Sequence, residues 1–222
     1  MTVLLVLTTF VLFLVIDYFY SRWHAVRPVV EVEAQPAARP VPQPNVVAGF
    51  QVPENLKFHP GHTWALTEGP KMVRIGLDDF AAKLLGKVHK IGLPQRGQWV
   101  RQGQKIWTLE RDGAKVDMVS PIEGVVTEIN DAAAGTPDAV RRDPYGDGWL
   151  VTVESPDSKL NFRNLLSGEL ARWWMDEAAS RLRRHLPIPA GVAQDGGMAV
   201  GDLTTYLEDK EWVEVTREFF LS

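Results

Sequence analysis

Cysteine is absent from the 222-residue chain. That excludes disulfides, thiolate nucleophiles, iron–sulfur ligation and cysteine zinc sites together, and leaves the redox compartment open, because a chain without thiols is at home in any. Histidine is scarce, with five residues. No Ser-His-Asp or paired-carboxylate arrangement stands out, so catalysis by this chain alone is disfavoured. An excess of positive charge is also missing: 24 Lys and Arg against 28 Asp and Glu leave a formal net charge of -4 and a pI near 5.8. Without a global basic field the default partner is not nucleic acid. What is present is an ordinary globular composition, 45% hydrophobic and 23% charged. It has room for one folded domain of about 100 to 150 residues with further segments. Eight tryptophans and fifteen unevenly spread prolines are the two excesses.

Residues 1–16 carry no charged side chain, and the apolar character runs on through Tyr18, Phe19 and Tyr20 to Trp23. A helix of about 20 such residues spans a hydrocarbon core of about 30 Å, so residues 1–21 are expected to form a single transmembrane anchor. A cleaved signal peptide would need a basic stretch before the apolar run and a small-x-small site after it, and neither is seen. Arg22, His24 and Arg27 follow the run and no Lys or Arg precedes it, which places the bulk of the chain in the cytoplasm by the positive-inside tendency. From 22 to 53 the sequence is a proline-rich linker, with Pro28, Pro36, Pro40, Pro42, Pro44 and Pro53. Such spacing denies ladder donors and favours an extended tether.

Residues 54–157 change character. Short β-branched and aromatic runs alternate with glycine and proline turn signals, which predicts strands at 63–66, 72–77, 88–93, 105–110, 115–119, 124–130 and 149–153. Between the second and third, Asp78 to Gly86 has acidic residues first, apolar Phe80, Leu84 and Leu85, and a glycine stop, the pattern of one short helix. Many short strands with a single helix argue for a mainly β (α+β) sandwich or flattened barrel.

The series HTW (62–64), GLDDFAAKLLG (76–86), LPQRGQWVRQGQ (93–104), SPIEGVVTEIN (120–130) and DPYGDGWL (143–150) resembles the glycine cleavage system H protein family of the lipoyl-domain superfamily. The resemblance covers roughly residues 56–155 in unbroken order. It implies a barrel-sandwich hybrid fold that displays a lipoylated lysine at a hairpin tip. In that family the lipoyl arm carries an aminomethyl group among the decarboxylase, the aminomethyltransferase and the dihydrolipoyl dehydrogenase. The family motif puts the lysine eight residues before the proline of the Ser-Pro pair; counted back from Pro121, that position is Gly113.

Glu110, Asp112, Ala114 and Val116 align around it without a gap, so the acceptor alone is missing. Asp112-Gly113 is itself a strong two-residue hairpin signal, and the turn is expected to persist. Glycine has no side chain to acylate. Lys115, two residues on, is the alternative acceptor, read otherwise as a solvated edge-strand lysine. A further reading makes the tip a protein-docking surface with Arg111, Asp112, Gly113 and Lys115 as contacts.

His59-Pro60-Gly61-His62 offers two histidines but no further nearby ligand for a closed metal site, and reads as a turn. The Gly146-Asp147-Gly148 turn is expected to deliver Trp149 to the core. Residues 158–222 form a helical C-terminal extension. Leu166, Leu170, Trp173, Trp174, Ala178, Leu182 and Leu186 mark an amphipathic helix ending near Pro187. Arg181, Arg183, Arg184 and His185 crowd its end, where they favour the helix dipole or, alternatively, anionic lipid. Two short helices are expected over 202–222, with Asp202 as a cap and Leu203, Tyr206, Leu207, Trp212, Val215 and Phe219 as the apolar set. Adjacent Trp173 and Trp174 are not expected both to face one core, so one is left over for a partner or, as the favoured reading, helps to cover the barrel.

These readings combine into a membrane-anchored, single-pass, H-protein-like accessory or scaffold protein that is not an enzyme and carries no cofactor. Its partners are the membrane and proteins such as the lipoyl-system enzymes. The alternative is a working carrier with lipoate on Lys115. A periplasmic export adaptor, the third possibility, calls for coiled-coil heptads inserted in the hairpin, and there are none.

Overall fold

The computed structural model describes residues 11, 14–18, 45–86, 88–186 and 203–221, in two units divided at Arg39 and Pro40. In the first unit, residues 14–18 are helical with exposed side chains. Most of the expected anchor, and the linker up to residue 44, lie outside the described residues. Among the described residues no helix is long and apolar enough to cross a membrane.

The second unit starts folding earlier than its sequence suggests. β1 (Val46–Val47) and β2 (Phe50–Gln51) pair across an Ala48-Gly49 turn, and Phe50 and Val52 are buried. Residues 46–52 therefore belong to the folded unit and not to the expected 22–53 linker. The proline density upstream masks a short proline-free stretch, NVVAGFQV, whose β-branched pair and Ala-Gly turn suffice for a hairpin once its apolar side chains have a surface to cover.

Three sheets follow, every strand pair antiparallel. The largest has six strands, in the order β3 (Lys57–His59), β4 (Thr63–Thr67), β5 (Met72–Leu77), β11 (Val151–Glu154), β10 (Gly124–Ile129) and β7 (Trp99–Val100). The second has three, β6 (Lys90–Gly92), β8 (Lys105–Arg111) and β9 (Ala114–Val119), and β1–β2 is the third. Alternation sets the faces: Val73 and Ile75 of β5, Val151 and Val153 of β11 and Val126 of β10 join Leu109, Val116 and Met118 of the smaller sheet in one core. The result is a sheet-rich fold with several helices.

The expected helix is α1 (Asp79–Leu85), capped by the Asp78 side chain, which accepts the Ala81 N–H at 2.8 Å. All seven of its residues are buried, Asp79 and Lys83 included. Those two form an i,i+4 ion pair, and Asp79 also accepts the Gln51 N–H at 2.8 Å. Tyr145 completes the join: its hydroxyl accepts the Asp79 N–H at 3.0 Å and donates to the Gln51 carbonyl at 2.6 Å. Burial pushes the Asp79 carboxyl up despite Lys83. It raises the Tyr145 phenol as well, with Asp78 and Asp79 adding to the effect.

The central region holds more than one helix, contrary to expectation. α2 (Asp131–Gly135) and α3 (Pro137–Arg142), like α4 (Ser158–Phe162) at the start of the extension, are too short to show a helical period; local caps set them, Asn130 and Asp157 accepting from Ala133 N–H and Leu160 N–H and Pro137 opening α3. The 143–148 turn forms as expected, wrapped around Asp143. It delivers Tyr145 and Leu150 to the core, while Trp149 stays half-buried under the Arg74 guanidinium.

In the extension, α5 (Gly168–Arg183) buries Ala171, Met175, Ala178, Ala179 and Leu182. Ala178, Leu182 and Leu186 of the expected stripe are buried and Trp174 is half-buried, whereas Leu170 and Trp173 are left exposed and Ala171 and Met175 are buried instead. A 3-10 turn (Leu203–Tyr206) leads to α6 (Asp209–Phe220), opened by a capping box between Glu208 and Glu211. Asp202 lies outside the described residues. Arg181 and His185 both reach Glu218 of α6, at 2.8 and 3.0 Å.

Candidate functional site

The β8–β9 hairpin is built by its register. Arg111 pairs with Ala114 and Glu110 with Lys115, so the connection is the two residues Asp112 and Gly113. Their φ values, +46° and +86°, are both left-handed, the primed-turn pattern that follows the strand twist. A Cβ built on Gly113 meets nothing within 4 Å. The tip is thus an exposed turn with open space around the one position from which a side chain would leave it, and it carries no nucleophile or acylatable amine there.

The surrounding residues are distributed differently from one another. Asp112 Oδ1 lies 2.9 Å from His89 Nε2 of the neighbouring strand segment, with both residues exposed. Lys115 stands on the outward face of the small sheet, where its Nζ is 2.9 Å from Glu110 Oε1 directly across the ladder. The hydrogen bond and charge of Lys115 hold the Glu110 carboxyl below its ordinary range. Further down the same face, Lys105 is 2.8 Å from Asp117, whose carboxyl is lowered overall by hydrogen bonds from Lys105 and Thr108 that outweigh an opposing desolvation. Lys115 is one member of a cross-strand charge ladder, placed down the strand from the turn.

Arg111 does not join that exposed set. It is 3% exposed, on the inward face with Trp107 and Leu109. Its guanidinium is 3.0 Å from Asp209 Oδ1 and lies over the Trp212 ring at 5.2 Å. Both partners belong to α6, which packs along β9. Trp212 in turn donates its indole N–H to the Leu84 carbonyl of α1 at 2.7 Å. The C-terminal helix therefore braces the hairpin from behind. Sequence reasoning saw the apolar set of α6 but not its target; Asp209 three residues before Trp212, opposite an isolated strand arginine, is the signal that would have found it.

The two turn histidines are engaged separately. His59 Nδ1 accepts the Gly61 N–H at 3.0 Å, and its pKa is lowered to about 4 by burial, with the nearby His62 adding a smaller repulsion. His62 Nδ1 is 2.8 Å from Asp78 Oδ2. Among the described residues no cluster of three or more His, Asp or Glu is arranged to hold a metal ion.

Comparison with known proteins agrees with this geometry. The family model for the glycine cleavage H-protein matches residues 56–177. The glycine cleavage system H protein of Anaeromyxobacter sp. (strain K) is 36% identical over 110 residues, which cover 50% of this chain and 85% of that protein. That of Xanthomonas campestris pv. campestris (strain B100) is 34% identical over 128 residues, 58% of this chain and 98% of the relative. Among solved structures, an H protein from Mycobacterium marinum matches with a TM-score of 0.43 at 28% identity, covering 47% of this chain and 87% of that one. The family model and these two H-protein relatives lead to one assignment: the chain belongs to the glycine cleavage H-protein family, whose members are carriers and not catalysts.

Proposed function

We propose that this protein is an unlipoylated, membrane-tethered member of the H-protein family that acts by docking to other proteins as an accessory or scaffold. One observation carries the reading: at the family's acceptor position stands Gly113, in a left-handed turn with open space around it and no amine. The residues present do not fit a lipoyl group at that place. Lys115 does not substitute well, since its Nζ is paired with Glu110 on the sheet face. The docking surface is then the outward face at the tip, Asp112, Gly113 and Lys115, with Arg111 acting from within as a brace. The enzymes that recognise H proteins, among them the lipoyl-system enzymes, are the partners of this reading. The apolar N-terminal run supports a membrane tether, and the arginines after it support a cytoplasmic domain.

Intact-mass spectrometry of the protein from its native membrane, with peptide mapping across 105–121, tests the proposal. An unmodified mass is expected. A lipoyl adduct on Lys115 would overturn it and restore a carrier role.

A further inference from the structure

The two sides of α5 differ in kind. Ala171, Met175, Ala178, Ala179 and Leu182 are buried on one. On the other, Trp173 is 66% exposed and Leu170 55%, and no large apolar side chain among the described residues is more exposed than Trp173. At 3.6 residues per turn, Glu169, Leu170, Trp173, Asp176 and Glu177 fall within an arc of about 120°. All five are exposed. The indole therefore stands among three carboxylates, at the positions four before, three after and four after it, which are its neighbours on a helix surface.

The helix does little to neutralise that ring of charge. Glu169 is the one of the three with an ion-pair partner among the described residues, Arg172, whose Nε lies 3.8 Å from it. Arg181, one turn beyond Glu177, is committed elsewhere: it bonds Glu218 at 2.8 Å and lies over the Phe219 ring at 4.8 Å. Apolar area and negative charge together select what can cover the face. Trp and Leu gain from an apolar hollow that takes them out of water. An anionic membrane leaflet would bring negative charge onto the three carboxylates. Two copies packed about a two-fold axis would do the same, since such a contact sets each patch against itself. A protein surface with a basic rim is favourable on both counts.

We propose that the outward face of α5 docks a partner protein at an apolar hollow rimmed by lysine or arginine: Trp173 enters the hollow, Leu170 covers its edge, and Glu169, Asp176 and Glu177 face the rim and set the orientation. This face belongs to a different element from the hairpin tip, and the inference stands whether or not lipoate is carried.

The test is photo-crosslinking of the full-length protein in its native cells, with benzoylphenylalanine in place of Trp173 and the crosslinked peptide mapped by mass spectrometry. The expected adduct is to one partner protein, at a segment where Lys or Arg flank apolar residues. Asp176→Asn combined with Glu177→Gln, both at exposed positions, should lower its yield about fivefold or more without moving the melting midpoint. Adducts confined to lipid, to a second copy of this chain or to a segment without basic residues overturn the proposal, as do the absence of any adduct and an unchanged yield in the neutralised variant. The same reagent in place of Gly113 separates the two docking faces. Adducts from position 113 with none from 173 overturn the α5 face and leave docking at the tip intact, whereas adducts to a basic segment from 173 with none from 113 uphold the α5 face and count against the tip.

Discussion

His59 and Arg111 show how a single side chain is governed by what surrounds it. Because the folded-state pKa of His59 is depressed to about 4 from 6.5, the unfolded chain binds a proton more readily between those values. Stability contributed by the neutral ring is complete above about pH 6.5 and is lost as pH falls toward 4. His59→Asn keeps an acceptor for the Gly61 N–H without the titration. The stability difference between pH 7 and pH 4.5, measured by urea midpoints, should be smaller in the variant by about 1–2 kcal/mol, allowing for screening of a partly exposed ring. Arg111 presents an asymmetry. Two of its guanidinium nitrogens, Nε and Nη1, are buried without partners, so the residue is costly to keep folded. Arg111→Met should change stability by no more than about 1 kcal/mol, whereas Asp209→Ala, which strands the buried charge, should cost about 2 kcal/mol or more. If both variants cost the same in chemical denaturation, the ion pair is not what holds the guanidinium. At the tip itself, Gly113→Lys should fold with a loss of about 1 kcal/mol from the positive φ, and should acquire a lipoyl mass increment when co-expressed with a lipoate ligase.

At the level of elements, the C-terminal helix α6 is the part whose removal matters most. Trp212 is fully buried between Arg111 and Leu84, so Trp212→Ala should cost about 3–5 kcal/mol. The tryptophan pair on α5 gives a sharper contrast. Trp173, 66% exposed, should be replaceable by alanine within about 0.5 kcal/mol, while Trp174→Ala uncovers His62 and Phe58 and should cost several times as much by thermal melting. The sequence made it plain that one indole of the pair would be left over; which one was not legible, because the burying stripe of α5 uses Ala171, Ala178 and Ala179, and alanines carry little weight in a hydrophobic pattern. The strands from 63 to 130 were legible for the opposite reason, since β-branched runs end in Gly and Pro turns at almost every boundary. β3, β7 and the helices α2 to α4 were not, being five or six residues long at most and set by caps or by one bridging partner such as Leu166 against Phe58. The hairpin register around Gly113 could be read from Asp-Gly alone, whereas the burial of Arg111 could not, because it depends on a helix nearly a hundred residues further along the chain.

For the whole molecule, the boundary of the folded unit is the quantity to test. A chain starting at residue 45 keeps the β1–β2 hairpin whole. One starting at residue 54 loses Phe50, Val52 and the Gln51 bonds to Asp79 and Tyr145, and should be destabilised by several kcal/mol. Equal melting temperatures for the chains starting at 45 and 54 would show that β1 and β2 contribute nothing.

The bond from Trp212 to Leu84 joins residues 128 positions apart. On a ribosome, which emits the chain from its N-terminus at about 5–20 residues per second, the α1 segment has been outside for several seconds before its last covering side chain exists. Loop closure over such a separation also slows refolding. The apolar face of α1 must therefore wait, without its last cover at Leu84, until the chain has been made beyond Trp212, and the domain can reach its final form only then. In the cell, that interval is when the protein is most exposed to chaperones and to aggregation.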